Sequence, residues 1–236
     1  MIIWIASYPK SGNTYLRSFL SSYYYSEDGK FNFNHLSNIR QFPNLKFSKF
    51  QARTKEEASQ NWIFNQNEFF KKDNFNLTKT HNCLYPFKGN QFTSSNLSLG
   101  AIYIVRDPRN VITSLTHHYS LNYEQALSHM TNEDSSLLET TVDDDYSNFT
   151  YLNSWANHYK SWKNNSIFKT LFVKFEDLQN NKEETFKKII LFIKKLMKDN
   201  SHINEQKFLN SIKTTNFTNL KNKELNEGFE ESVYSK

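Results

Sequence analysis

"IIWIASYPKSGNTYLRSFL", residues 2–20, decides the fold. Residues 2–6 are apolar, β-branched or aromatic and too few for a helix, as expected of a short buried strand. Leu16, Phe19, Leu20 and Tyr23 then recur at i, i+3, i+4 and i+7, one helical face. Residues 7–12 are therefore the turn from a strand into a helix. Backbone N–H groups at a helix N-terminus suit an anion. Lys10 adds a positive charge, Ser11 and Thr14 add hydroxyls, and Gly12 lets the backbone approach a ligand closely. An ordinary turn capped by Ser11 or Asn13 accounts for the same residues. The position is that of a nucleotide-triphosphate loop, G-x-x-x-x-G-K-[ST], but here the lysine precedes the turn's glycine.

A second unit, "LGAIYIVRDPRNVITSLTHHYS" (99–120), repeats the plan. Ala101 to Val105 reads as a strand, and Asp107-Pro108 opens a helix as N-cap and first residue. Val111, Ser114, Leu115 and His118 share one face of that helix. "FNLTKTH" (75–81) reads as a short strand ending at His81, "TLFVKFEDL" (170–178) as a strand and its exit, and 182–197 as an amphipathic helix with Phe186, Ile189, Ile190 and Ile193 on one side. Residues 149–163 and 204–212 read as helices, 26–74 as short helices and loops, and 121–148 as a mobile loop or lid. Strands alternating with helices predict an α/β fold, a central parallel sheet flanked by helices on both faces.

Ligands of such sheets bind where strands end and helices begin. Three strand ends carry polar clusters: Tyr8 to Thr14, Lys79 to His81, and Arg106 to Arg109. Lys79 and His81 fall on one side of their strand. A neutral imidazole there suits a general base; a lone histidine is more often structural, but one two residues from a lysine at the edge where the turn opens points toward function. Arg106 suits bidentate phosphate contacts, and Ser114, two turns into the helix, can reach the same group.

The 236 residues suit one domain, and the net charge of +5 is consistent with an anionic partner or simply with an Asn- and Lys-rich composition. No aromatic-interleaved basic stripe points to nucleic acid. The single Cys83 excludes an internal disulfide framework and a multi-cysteine metal site. The five-residue apolar run before Ser7 is too short for a signal-peptide core or a membrane span, so a cytoplasmic location is expected. The run Asp143–Asp145 reads as a solvated loop rather than a metal site.

Together these stretches resemble the sulfotransferases that use 3′-phosphoadenosine 5′-phosphosulfate (PAPS), of the soluble cytosolic kind with a P-loop NTPase-like architecture. "YPKSGNTYLRSFL" resembles that family's 5′-phosphosulfate loop, "KTH" its lysine–histidine strand, and "AIYIVRDPRNVITSLTHHYS" its 3′-phosphate signature. "VKFEDL" and "TTNFTNLKNKE" (214–224) match, in family order, two further segments. The resemblance implies a single sulfotransferase domain over 1–236, transferring a sulfuryl group from PAPS to a hydroxyl or amine of a small-molecule or carbohydrate acceptor, with no metal. His81, Lys10, Lys79 and Ser114 form the implied catalytic set. His81 deprotonates the acceptor, Lys10 assists the leaving group, and Lys79 stabilises the sulfuryl group. Ser11, Gly12, Asn13 and Thr14 wrap the 5′-phosphate, and Arg106 and Ser114 hold the 3′-phosphate. Tyr15, Phe175, Thr215 and Phe217 frame the adenine. Asn13, Tyr15 and Phe175 stand where the family has threonine, tryptophan and tyrosine. The family's basic, glycine-containing C-terminal clamp on the 3′-phosphate has no counterpart in "GFEESVYSK". The alternatives are a P-loop nucleotide kinase or NTPase and an inactive nucleotide-binding protein.

Overall fold

A computed structural model of the protein describes residues 1–70, 75–138, 144–216 and 219–220. The strands are β1 (Ile2–Ser7), β2 (Arg40–Gln41), β3 (Asn76–Thr80), β4 (Ser98–Val105), β5 (Ser136–Leu137), β6 (Thr150–Tyr151) and β7 (Lys169–Lys174). The helices are α1 (Asn13–Tyr25), α2 (Lys55–Gln60), α3 (Trp62–Phe69), α4 (Pro108–Tyr119), α5 (Tyr123–Thr131), α6 (Trp155–Lys163), α7 (Phe175–Asn180), α8 (Lys182–Met197) and α9 (Glu205–Thr214). Five strands form one parallel sheet in the order β2-β3-β1-β4-β7. β1 thus has β3 on one side and β4 on the other, and the crevice above its C-terminal end is where ligands bind in such sheets.

β1 is fully buried because its alternating side chains feed two cores. Ile3 and Ile5 point to the face covered by α1, α8 and α9, where Phe19 stacks on Phe186 at 3.9 Å and meets Phe208 edge-on at 5.9 Å. Ile2, Trp4 and Ala6 point to the other face, packed with Trp62, Phe92, Phe149 and Trp162. Burial of four such aromatic side chains contributes on the order of 1.5–3 kcal/mol each before entropy is counted.

Three expectations need correction. Residues 121–148 are not simply a loop: α5 spans Tyr123–Thr131 and β5 pairs with β6. Ala126 and Met130 bury against Val111 and Leu115 of α4, and Asn122 with Gln125 forms a reciprocal capping box. Residues 139–143 lie outside the described part. Residues 149–163 are not one helix. Tyr151 lies in β6, Asn153 takes a left-handed φ of 59°, and Ser154 caps α6 through Asn157 N–H. The 26–74 stretch, with 71–74 outside the described part, also contributes edge strand β2, two residues long and invisible to any periodicity. The C-terminal residues 221–236, on which the clamp expectation falls, are likewise outside it.

Candidate active site

The register brings the polar strand ends level. Ala6 of β1 faces Thr80 of β3, and Ser7 faces Ile104 of β4, so Tyr8, His81 and Arg106 leave the same edge of the sheet. Lys79, paired with Ile5, is buried one residue inside that edge.

The turn between β1 and α1 is curled by left-handed residues on either side of Ser11: Lys10 at φ 63° and Gly12 at φ 94°. This alternation makes backbone N–H groups converge, as in anion-binding concavities. Gly12 is required twice over. Its φ disfavours a side chain, and a Cβ there would lie 2.2 Å from Cδ2 of Phe175. α1 has no side-chain cap on its N-terminus and no acidic residue in its first turn, so its dipole favours an external anion. Thr14 is half-buried in that first turn.

Arg106 ties the β4 exit to the turn. Its Nη1 donates to the Lys10 carbonyl at 2.8 Å, and its guanidinium stands 4.6 Å from the Phe175 ring centroid. Burial pulls its pKa down and the neighbouring Glu176 carboxylate opposes that shift. Two donors at this place are buried with no hydrogen-bond partner among the described residues: Arg106 Nε and Ser11 Oγ. A buried unmet donor carries a cost of about 1–3 kcal/mol. Each is a donor that an anion can satisfy, so the donor set at this edge fits phosphate-type groups.

His81 is held by the β1 exit. Its Nδ1 lies 2.7 Å from the Ser7 carbonyl oxygen, with a longer contact of 3.3 Å to Ser7 Oγ. A carbonyl only accepts, so Nδ1 carries the proton and the lone pair of the neutral ring sits on Nε2. That is the tautomer a general base needs.

The other predicted residues divide. Asn13 turns inward: its amide donates to the Ile5 carbonyl at 3.0 Å and to Ser7 Oγ at 3.2 Å, so both side-chain donors are committed to β1. Its backbone N–H, at the start of α1, is the group that can serve the anion. Phe175 lies over Gly12, at the turn. Tyr15 is buried edge-on to Phe186 at 5.7 Å, and burial pushes its phenol up to about 12. Ser114 is half-buried in the second turn of α4. Thr215, fully buried after α9, donates to the Ser211 carbonyl at 2.6 Å, and Phe217 lies outside the described residues.

Sequence reasoning missed four contributors. Ser7 fixes the His81 tautomer. Tyr103 and His158 stand behind His81, where the Tyr103 hydroxyl donates to His158 Nδ1 at 2.8 Å. His118, one turn beyond Ser114, has a buried Nδ1 without a partner among the described residues, and burial together with the Lys10 charge lowers its pKa. The spacing Ser114–His118 was a readable signal for a shared face; the long-range pairings were not. Among the described residues no group of three or more His, Cys, Asp or Glu side chains could hold a metal ion, and no helix is long and apolar enough to cross a membrane.

Comparison with known proteins follows the same line. The family profile described as "Sulfotransferase domain" matches residues 2–233. The structure of mouse sulfotransferase SULT7A1 complexed with PAP is similar at a TM-score of 0.57 and 20% identity, covering 93% of this chain and 65% of that one. Retinol dehydratase in a complex with retinol and PAP gives a TM-score of 0.47 at 17% identity, covering 97% of this chain and 70% of that one. No curated protein sequence matches. The chain therefore spans about two thirds of the length of these solved structures, and the likeness to the mouse protein is one of fold.

Proposed function

The chain belongs to the sulfotransferase domain family, and from that premise we propose that it transfers a sulfuryl group from PAPS to an acceptor hydroxyl or amine. The single observation carrying this reading is the Nδ1 contact of His81 with the Ser7 carbonyl, which leaves a basic Nε2 at the sheet edge that holds the anion turn. In this reading Nε2 takes the acceptor proton as the acceptor oxygen or nitrogen attacks sulfur. The bond from sulfur to the bridging oxygen breaks, and its electron pair leaves with the 5′-phosphate. Lys10, ahead of Gly12, meets the charge that grows on the bridging oxygen. Lys79 faces the sulfuryl oxygens. The N–H groups of the turn, with Ser11 and Thr14, hold the 5′-phosphate, and Arg106 with Ser114 holds the 3′-phosphate.

In-line transfer of this kind is dominated by positioning and charge stabilisation. A kinase or NTPase would carry its lysine directly after the last glycine of the loop, as the place to hold magnesium nucleotide, so the position of the glycine and not the following serine separates the two. Here Ser11 and Gly12 follow the lysine.

His81→Ala is expected to lower kcat by about 10²–10⁴-fold while adenosine 3′,5′-bisphosphate binds with unchanged affinity. Lys10→Ala is expected to weaken both. Steady-state turnover of ³⁵S-labelled PAPS with a panel of phenols, alcohols and amines, beside calorimetric binding of the bisphosphate, separates the two. Unchanged kcat in His81→Ala would remove it from the base role.

A further inference from the structure

One face of α6 grips the chain that carries His81. His158, Ser161 and Trp162 occupy positions i, i+3 and i+4, and each engages the backbone of residues 81–84. His158 Nε2 donates to the His81 carbonyl at 2.9 Å. Trp162 Nε1 donates to the Asn82 carbonyl at 3.1 Å. Ser161 Oγ accepts the Leu84 N–H at 3.0 Å while giving its own proton to the His158 carbonyl at 2.7 Å. Asn82 adds a bond in the other direction, its side-chain oxygen accepting Tyr151 N–H at 2.9 Å.

His158 is fully buried, with the Tyr8 ring edge-on at 5.4 Å. Both its nitrogens are used. Tyr103 on β4 donates to Nδ1, and Nε2 donates to His81. A hydrogen-bonded chain thus runs Tyr103–His158–His81–Ser7–Asn13, from β4 through the β3 exit and the end of β1 to the first residue of α1. Holding a loop in place needs no buried imidazole; apolar packing does it at lower desolvation cost. A donor directed at the carbonyl of the His81 residue itself, with its tautomer locked by a phenol, has a narrower use.

We propose that α6 is a backbone clamp that sets where His81 stands, with His158 as the positioning residue that aligns His81 Nε2 for proton transfer. The inference rests on the assignment of His81 as base. It places His158 outside contact with substrate: the residue acts through the backbone it holds. A base displaced by about 1 Å loses on the order of 10²-fold in rate.

The test compares His158→Leu, which removes both hydrogen bonds, with His158→Gln, which keeps an N–H donor and an acceptor. Tyr103→Phe removes one oxygen and serves if His158→Leu does not fold. Three readouts are taken: kcat, the Kd of adenosine 3′,5′-bisphosphate, and the ¹H–¹⁵N signals of the His81 ring, which need no turnover. His158→Leu is expected to lower kcat by roughly 10²-fold, with bisphosphate Kd unchanged and the His81 ring departing from a pure Nδ1–H tautomer. His158→Gln recovers most of the rate, and Tyr103→Phe shows a smaller loss of the same kind. A wild-type kcat in His158→Leu overturns the proposal. So does a parallel fall in kcat, bisphosphate affinity and melting temperature that Gln does not rescue. If the wild-type protein transfers no sulfuryl group, the base assignment fails separately. The ring signals then decide, and His81 signals unchanged in His158→Leu or Tyr103→Phe overturn the clamp.

Discussion

At the scale of single residues, burial bears on pH-dependent stability through His158. It pushes the imidazole down to about 4, against the opposing effect of its bond to the His81 carbonyl. The folded-state pKa lies below the ordinary histidine value near 6.5, so as pH falls the unfolded chain takes the proton first. Stability from this group is therefore intact above about pH 6.5 and is lost progressively down to about pH 4. Between pH 7 and 4.5 the loss amounts to about 2–3 kcal/mol. Urea unfolding at the two pH values, compared with His158→Gln, is expected to show a correspondingly smaller drop in the variant. Equal drops would show that His158 does not resist protonation. At this scale sequence legibility was uneven. Lys10, Gly12, His81 and Arg106 declared themselves by residue type at strand ends. Asn13 did not: nothing local says that its amide turns back to Ile5 and Ser7, because both acceptors lie in strand β1 and are met only once the turn has folded.

At the scale of elements, the β1–α1 turn is shaped by one glycine and one ring. Gly12→Ala combines a left-handed strain of about 1–2 kcal/mol with overpacking against Phe175 of about 1–3 kcal/mol. The expected destabilisation is therefore about 2–5 kcal/mol, read from urea midpoints. Phe175→Ala in the same chain should relieve the packing part and leave the backbone part. A Gly12→Ala protein within about 0.5 kcal/mol of wild type would mean that the turn does not need its glycine. β1 was legible as a short unbroken apolar run, and α1, α4 and α8 because each carries a helical period of its own. α5 was not, since its polar sequence buries only Ala126 and Met130, and its fold-back onto α4 is a tertiary event. The Asn122–Gln125 spacing was the one local signal for its start.

For the whole molecule, alternating strands and helices announced a parallel α/β sheet, but the strand order β2-β3-β1-β4-β7 had to come from structure. That order is what joins the pieces. It sets β1 between β3 and β4, so that a turn, a histidine and an arginine far apart in the chain meet on one edge. The grip of α6 on residues 81–84 is of the same long-range kind, spanning 77 residues between His158 and His81. The chain belongs to the sulfotransferase domain family, and the chemistry proposed for that edge rests on this membership.

Calorimetric and thermal-shift titration with adenosine 3′,5′-bisphosphate, run beside ATP–Mg²⁺, tests the central claim most directly. The account predicts that the bisphosphate binds and, at about a hundred times its Kd, stabilises the protein by roughly 2.7 kcal/mol, while ATP–Mg²⁺ does less. Stabilisation by ATP–Mg²⁺ with none from the bisphosphate would contradict it.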